Sequence, residues 1–496
     1  MPRRIKRDRP LIEHPQLEPF EPQLKAFLEW GFDGGIRALE AAGYKLGDDL
    51  VDAKAHEYFT NGLFTSFAQV QLAVGLTFIG LERKRRQLSE EIKRRRLERN
   101  PAVQDAEDQA KAITTRQVIM TRLMDGIIWV LVPEQWIFKH LVFKRHIGRC
   151  NPDELEKLVA IAWKQNQENE REIHLISDLT SIVQIGDIVR IRWDEKGVYV
   201  RLQDIKTGEM NYKLSDLIES REGELSLADL EDIETQYGAH ARDQASRMIR
   251  QRKRFRVMEE IGRPERVQAD GPTDKVIMEA LTKAGKPPGM AMYLSLLPDL
   301  VADARNGDIA VTLIDDCFWL LALNQKWIAK LGGTGNLHHA FYHIKHPEVE
   351  CNVGEMEALR KESPLVNLVA HNMNYVMSRS PLIWYPKDLV LDIVMDRIRI
   401  YAQFDLDAFF KIAAEANIKM SLITGKKAEE GKRTRASGPM LENSKAYGIK
   451  VKFSNGRELN LRSSLFRSVY AHLVGPKEIL NLIKRIDEIQ EPVEIT

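Results

Sequence analysis

Residues 186–206 read GDIVRIRWDEKGVYVRLQDIK, and this stretch predicts a β-hairpin. Two runs in which apolar and polar side chains alternate flank the polar segment 194–197, which is the pattern of half-buried antiparallel strands joined by a turn. If the turn contains four residues, Trp193 pairs with Val198. The same register then places Asp187 directly opposite Asp204 at the open end of the hairpin.

The alternation sorts the side chains of this hairpin onto two faces, because successive residues of a strand point in opposite directions. One face is apolar along most of its length and ends in two aspartates and a lysine: Asp187, Val189, Ile191 and Trp193 lie beside Val198, Val200, Leu202, Asp204 and Lys206. The opposite face carries Ile188, Arg190 and Arg192 beside Tyr199, Arg201, Gln203 and Ile205.

The two facing aspartates predict a divalent metal site. Like charges directly across a sheet destabilise it by a few tenths to about 1 kcal/mol, and the edge of an apolar face adds a desolvation cost. Carboxylate oxygens are the ligands that Mg²⁺ prefers, so Asp187 and Asp204 are predicted to bind Mg²⁺ or Mn²⁺. Lys206 would stabilise charge on a phosphate or orient the attacking water. The alternative is a solvated sheet edge with an Asp–Lys ion pair.

This constellation resembles the PD-(D/E)xK, restriction-endonuclease-like nuclease superfamily, in which an early acid in one strand is followed on the next strand by Asp or Glu, any residue, and Lys. Asp187 matches the first acid, Asp204 the second and Lys206 the lysine, whereas Gly186 stands where the superfamily often has proline. The resemblance covers residues 150–260. It implies metal-dependent hydrolysis of phosphodiester bonds in DNA, in preference to RNA.

The same resemblance implies three further features. An upstream helix should supply another acid, for which the candidates are Glu168, Glu170, Glu172 and Asp178. Many members of the superfamily cut two strands as dimers, so a homodimer is compatible with it. The phrase GDIV…QDIKTG is also similar to bacterial proteins of this type that are associated with defence against phage, which suggests an antiviral role by analogy.

A basic helical stripe follows the hairpin in the chain. Between Arg242 and Arg256 there are seven Lys or Arg residues and one acid. Arg247, Arg250 and Arg254 fall on one helical face, as a surface that contacts a phosphate backbone requires. They are therefore predicted to bind nucleic acid, with a solubilising helix face as the alternative. The basic run 83–99 contains interspersed glutamates and is interpreted as a solvated helix.

The remaining sequence predicts a mixed α/β chain of several domains. Residues 1–150 are expected to be a helical N-terminal region, 151–265 a restriction-endonuclease-like middle domain, and 274–496 a mixed α+β C-terminal domain of unknown role. The Gly- and Pro-containing stretch 262–273 is the predicted linker. Among the individual elements, the Asn455-Gly456 pair predicts a hairpin over 449–461, and the last helix is expected over 476–489.

Composition narrows the class of protein. The chain has 496 residues, 44% of them hydrophobic and 29% charged, with 73 Lys and Arg against 72 Asp and Glu. This balance excludes a uniformly basic surface. The three cysteines are far apart in the sequence, which excludes a disulfide framework and points to a reducing, cytoplasmic compartment. The uncharged stretch 58–81 is diluted by polar residues, so a buried helix is expected there and not a membrane span.

Two other classes of function stay open. The first is a non-catalytic nucleic-acid-binding or assembly protein on a nuclease-like scaffold, whose DNA binding would not depend on metal. The second is a zinc-dependent enzyme centred on His339 and His343, which share a helical face and can chelate Zn²⁺. Cys317, next to Phe318 and Trp319, is expected to be a buried thiol without a histidine to activate it.

Overall fold

Long helices and small antiparallel sheets make up the described part of the chain, so the coarse prediction of mixed helix and sheet is confirmed. The computed structural model describes residues 12–44, 53–132, 151–169, 171–183, 186–194, 197–203, 205, 213–214, 217–218, 225–239, 241–246, 248–249, 293–330, 337, 341, 365–368, 387–423, 448–453, 456, 458–462, 469 and 474–489. The chain divides into two units, Met1–Val267 and Gln268–Thr496.

The first unit combines helices with a three-stranded antiparallel sheet ordered β1-β2-β3. Its described elements are α1 (Glu21–Ala41), α2 (Ala53–Leu97), α3 (Val103–Leu131), α4 (Pro152–Glu168), β1 (Glu172–Ile176), β2 (Ile188–Asp194), β3 (Gly197–Gln203) and α5 (Leu227–Tyr237). Elements from both sides of residue 150 pack together, since α2 contacts α4 and β1. The separate domains predicted over 1–150 and 151–265 stay a prediction, and the predicted linker 262–273 lies outside the described residues.

Local caps explain where two of these helices begin. Asn151 caps α4 by accepting a hydrogen bond from the Asp153 N–H, and Pro152 follows at the first helical position. At α5, Ser226 and Asp229 form a reciprocal capping box. Both starts follow from these short polar signals in the sequence.

Helix α2 forms the core of the first unit. Its side chains Phe64, Phe67, Val70 and Val74 are almost fully buried, and it contacts α1, α3, α4 and β1. Within the described residues, α2 is the one helix whose length and composition would allow it to cross a membrane. In its most apolar window 61% of the residues are buried inside the protein, as in the core helix of a globular protein. The cytoplasmic location of the chain stays a prediction.

Small residues allow α1 and α2 to approach closely. A Cβ atom built on Gly34 would lie 1.7 Å from Ser66 Oγ and 2.9 Å from the Gly62 carbonyl oxygen. A Cβ atom on Gly62 would in turn lie 2.3 Å from the Ala38 Cβ. Real atoms cannot occupy these positions, so the two helix backbones touch here and leave no room for a larger side chain.

The β2–β3 hairpin has the predicted register. Trp193 pairs with Val198, and the ladder runs from Asp194 opposite Gly197 to Ile188 opposite Gln203. Val189 and Ile191 of the predicted apolar face are buried, and the Trp193 indole N–H donates to the Leu131 carbonyl at the end of α3.

Strand β1, which the sequence analysis did not predict, completes this sheet beside β2. All five of its residues are buried. Two side-chain amides form hydrogen bonds with the backbone of its outer edge. Gln71 from α2 donates to the His174 carbonyl and accepts from the Ile176 N–H, both at 2.8 Å. Asn166 from α4 accepts from the His174 N–H at 2.7 Å. The helices therefore cover an edge that would otherwise expose unpaired backbone groups.

The second unit contains two antiparallel sheets. The four-stranded sheet is ordered β4-β5-β7-β6 and the three-stranded sheet β10-β9-β8. The described elements are α6 (Leu297–Gly307), β4 (Ile309–Ile314), β5 (Phe318–Asn324), α7 (Gln325–Lys330), β6 (Val366–Asn367), α8 (Lys387–Val394), β7 (Ile398–Phe404), α9 (Leu406–Glu415), β8 (Lys419–Ile423), β9 (Gly448–Lys452), β10 (Glu458–Arg462) and α10 (Pro476–Ile489). The hairpin predicted over 449–461 and the final helix over 476–489 are confirmed.

The turn between β4 and β5 contains the buried thiol Cys317, as predicted. Burial, together with the nearby aspartates Asp315, Asp405 and Asp316, raises the pKa of Cys317 to about 12, so the thiol stays protonated and unreactive at neutral pH. The Asp315 carboxylate accepts from the Lys477 N–H at 2.9 Å, which caps the beginning of α10.

We expect Gly34→Ala to destabilise the first unit by roughly 1–3 kcal/mol, because the new methyl group must displace Ser66 and the α2 backbone. Gly80→Ala is the matched control. Gly80 lies on an open helical position with no atom within 4 Å of the built Cβ, so its replacement should stabilise by about 0.5–1 kcal/mol. Thermal unfolding of both variants checks this, and an equal rise in melting temperature would contradict the close approach.

Candidate functional site at the open end of the β2–β3 hairpin

Asp187 lies where β2 begins, and its backbone continues the sheet on both sides. Its N–H donates to the Gln203 carbonyl and its carbonyl accepts from the Ser177 N–H, both at 2.9 Å. Its half-buried side chain turns toward the other strand of the hairpin, where Oδ2 accepts from the Ile205 N–H at 2.6 Å. The Asp187 carboxylate therefore contacts the backbone of Ile205.

The other predicted members of the site lie outside the described residues. These are Asp204 and Lys206, on either side of Ile205, and the predicted nucleic-acid-binding arginines Arg247, Arg250 and Arg254. His339 and His343 of the zinc hypothesis also lie outside them. Across the ranges that the structure describes, no group of three or more His, Cys, Asp or Glu side chains could hold a metal ion. The two-aspartate site and its Mg²⁺ or Mn²⁺ ion stay a prediction.

The candidates for a third acid occupy different positions. Glu172 is buried on the face of the sheet that carries Arg190 and is ion-paired with it, so it belongs to that ion pair and not to the Asp187 site. Glu168 is exposed, 3.7 Å from Lys164 in the same helix. Asp178 is exposed in the turn after β1, directly beside Ser177, whose N–H bonds the Asp187 carbonyl. Asp178 is the best placed of the three, and Glu170 lies outside the described residues.

A buried polar network holds the segment that leads into Asp187, and the sequence analysis did not identify it. Asp125 of α3 is 1% exposed. One of its oxygens accepts from the Ser181 N–H at 2.6 Å and the other from the Ser181 hydroxyl at 2.6 Å. Arg122 donates to the same carboxylate at 3.0 Å and to the Ser181 hydroxyl at 2.8 Å. Together these bonds connect α3 to the segment that begins β2.

Burial raises the pKa of Asp125, while the Arg122 guanidinium and the Ser181 donors favour its charged form. A buried carboxylate that accepts several hydrogen bonds fixes the geometry of the groups around it. A hydrogen-bond donor left without its partner there would lower the free energy of unfolding. The network consequently positions residues 181–182, from which the chain continues to Asp187. This network is visible only from the three-dimensional contact between residues 125 and 181.

The basic run 83–99 is engaged in ion pairs along its length, in agreement with its interpretation as a solvated helix. Arg83 donates to Asp153 at 3.2 Å and to Glu156 at 2.8 Å, which attaches α2 to α4. Other pairs along α2 join Arg85 and Arg86 to Glu82, Lys93 to Glu90 and Arg95 to Glu91. Near its end, Arg94 pairs with Glu98, directly after the helix, and Arg96 pairs with Glu107 of α3. Few of these cations are left for a phosphate backbone.

Comparison with known proteins adds no neighbour to this description. No protein-family model matches the chain, and no curated protein or solved structure matches it either. The resemblance to the nuclease superfamily therefore depends on the hairpin residues themselves.

Asp125→Ala should destabilise the first unit by about 3–5 kcal/mol, because it leaves Arg122 as an uncompensated buried charge. Asp153→Ala is the matched control: its carboxylate is exposed and pairs with Arg83 at the surface, so its loss should cost no more than about 1 kcal/mol. Chemical denaturation followed by tryptophan fluorescence measures both. Equal, small effects in the two variants would show that the buried network does not hold this segment.

Proposed function

We propose that this chain is a Mg²⁺-dependent nuclease that hydrolyses phosphodiester bonds of DNA, with a restriction-endonuclease-like hairpin at its catalytic site. The observation that carries the proposal is the hydrogen bond between the Asp187 carboxylate and the backbone of Ile205, the residue directly before Lys206. The ladder of β2 and β3 ends with Ile188 opposite Gln203, and the Ile205 N–H donates to Asp187 Oδ2. If this register continues by one residue, Asp187 pairs with Asp204, as the sequence predicts.

The carboxylate oxygens of the predicted site suit a hard divalent cation. A carboxylate offers about four lone-pair positions, so a carboxylate that accepts hydrogen bonds can also bind a metal ion. Asp187 and Asp204 would hold Mg²⁺ or Mn²⁺ through oxygen ligands, which these ions prefer. When bound, such an ion supplies charge neutralisation at the phosphate and a more acidic water molecule.

The residues of the chain would divide the remaining work. Lys206 would donate to a phosphate oxygen on which negative charge increases, or orient the attacking water. Arg247, Arg250 and Arg254 would bind backbone phosphates other than the one that reacts. A homodimer and a role in defence against phage are parts of the same proposal and follow from the resemblance alone, whereas a cytoplasmic location is proposed from the few, distant cysteines.

Cleavage of supercoiled plasmid DNA in the presence of Mg²⁺ tests the proposal. Asp187→Asn is the sharpest variant, because the amide oxygen can still accept the Ile205 N–H while the charge that holds the cation is lost. Asp187→Asn and Asp204→Asn should each lower the cleavage rate at least about a hundredfold without changing the melting temperature. Asp153→Asn, an exposed carboxylate on α4, should cleave like the unaltered chain.

Two results would contradict the proposal. One is metal-dependent cleavage that survives in Asp204→Asn. The other is salt-sensitive DNA binding that is insensitive to EDTA and accompanied by no cleavage, which is the sign of the alternative function, a non-catalytic nucleic-acid-binding or assembly protein.

A further inference from the structure

The outer edge of strand β4 offers backbone hydrogen bonds that its own sheet does not use. β4 is an outer strand of the four-stranded sheet β4-β5-β7-β6, so among the described strands it has a neighbour on one side only. It pairs with β5 without a bulge, from Ile309 opposite Leu323 to Ile314 opposite Phe318. The other side of β4 is therefore a regular edge of 6 residues.

The ladder defines which backbone groups face this edge. The Asn324 N–H donates to the Asp308 carbonyl at 2.9 Å. Alternate residues of an antiparallel strand bond opposite neighbours, so the even-numbered residues of β4 bond β5, as Asp308 does. The N–H and C=O groups of Ile309, Val311 and Leu313 point away from β5, and within the described part of the chain no group bonds them. We call these outward groups the β4 edge.

Strand β4 lacks the features by which natural sheets protect an edge. Such edges are commonly blocked by charged side chains, by proline, by a bulge or by a very short strand. The sequence of β4 is IAVTLI, which contains no charge and no proline and is rich in β-branched residues. A regular, uncharged edge of this kind favours pairing with another strand.

An exposed leucine lies beside the β4 edge. Leu313 is 40% exposed, although Ile309 and Val311, which share its face of the strand, pack against a buried cluster that includes Leu321 and Tyr401. A strand added at this edge would extend the apolar face and cover Leu313. The edge therefore offers apolar contact as well as hydrogen bonds.

An identical strand fits the β4 edge when it runs antiparallel about a two-fold axis at Val311. Val311 then lies opposite its own copy, and Ile309 lies opposite Leu313 of the second chain on the same face. On the other face, Ala310 lies opposite Thr312, so small side chains meet. Every outward N–H and C=O group gains a partner, because the residues that meet along this face are all odd-numbered. Since β4 contains no charge, the pairing brings no like charges together.

We propose that two copies of this chain associate through the β4 edge, which joins their four-stranded sheets into one continuous antiparallel sheet. The interface is isologous, so each dimer uses both edges and the assembly stops at two copies. The inference depends on the fold of the second unit and does not rest on the proposed function. It assigns a surface to the homodimer with which the resemblance to the nuclease superfamily is compatible.

The size of the interface sets its strength. Pairing of one short strand buries far less than the roughly 1,600 Å² of a standard stable interface, and association also costs the two copies translational and rotational freedom. We therefore expect monomer and dimer to exchange, with the fraction of dimer rising over micromolar protein concentrations.

Sedimentation velocity of the full-length chain over a series of concentrations tests the inference. The unaltered chain should shift from monomer to dimer as its concentration rises. Leu313→Lys should weaken the dimer about fivefold or more, because it removes the apolar contact with Ile309 of the second copy and adds a charge at the edge. Leu296→Lys is the matched control: Leu296 is 41% exposed in the same unit but lies outside β4, so this variant should dimerise like the unaltered chain.

A pair of opposite charges at position 311 tests the register. Val311→Lys places two positive charges directly opposite each other across the two-fold axis, and Val311→Glu places two negative charges there. Each variant alone should stay monomeric at concentrations where the unaltered chain is dimeric. An equimolar mixture of the two variants brings opposite charges together and should restore the dimer. Misfolded chains would not recover in this way, so the mixture distinguishes a lost interface from a lost fold.

Three results would overturn the inference. The first is an unaltered chain that is monomeric at every concentration, which would leave the β4 edge to a strand of a different protein. The second is a dimer that forms equally well in Leu313→Lys and Leu296→Lys. The third is a mixture of the two folded Val311 variants that stays monomeric.

The same measurement separates this inference from the proposed function. β4 belongs to the unit Gln268–Thr496, whereas Asp187 belongs to Met1–Val267. Asp187→Asn should therefore dimerise like the unaltered chain. A monomer that cleaves DNA with Mg²⁺ would reject the β4 interface and keep the proposed function, and a dimer that is lost in Leu313→Lys but never cleaves DNA would do the reverse.

Discussion

The register of the β2–β3 hairpin is the constraint on which the candidate functional site depends. Side chains alternate along a strand, so a slip of one residue would exchange every side chain between the two faces. In the observed register Val189 and Ile191 are buried on one face, and Arg190 and Arg192 lie on the other. A slipped hairpin would bury the arginines among apolar residues, and the cost of unpaired buried charge excludes it.

The surrounding helices keep this hairpin in place by polar contacts as well as by packing. The amides of Gln71 and Asn166 satisfy the outer edge of β1, so the sheet ends at three strands on that side. Asp125 and Arg122 hold Ser181 a few residues before β2 begins. A site that depends on a carboxylate directly before β2 needs such support, because small displacements change metal binding and catalysis greatly.

The features that were predictable from the sequence are those with a local cause. The four-residue turn and the alternation defined the hairpin, and Asn151, Ser226 and Pro476 marked the beginnings of three helices. The burial of the Cys317 thiol was also predictable locally, because Phe318 and Trp319 follow it in the sequence.

What could not be predicted depends on contacts between distant parts of the chain. Strand β1 has the sequence EIHLI, and all five residues are buried because helices and β2 enclose it, so it shows no polar alternation. The contact of Asp125 with Ser181 spans 56 positions. The approach of α1 to α2 at Gly34 is likewise visible only when both backbones are present. Of the candidate site, the position of Asp187 followed from the register, whereas the exclusion of Glu172 required knowledge of its ion pair with Arg190.

The most direct test of the account is a titration of the full-length chain with Mn²⁺, followed by the electron paramagnetic resonance of the unbound ion. Convergence of the Asp187 carboxylate with residue 204 predicts one bound ion per chain that is competed by Mg²⁺ and lost in Asp187→Asn. No saturable binding, or binding of the same affinity in Asp187→Asn, would contradict the idea that this end of the hairpin is a metal site.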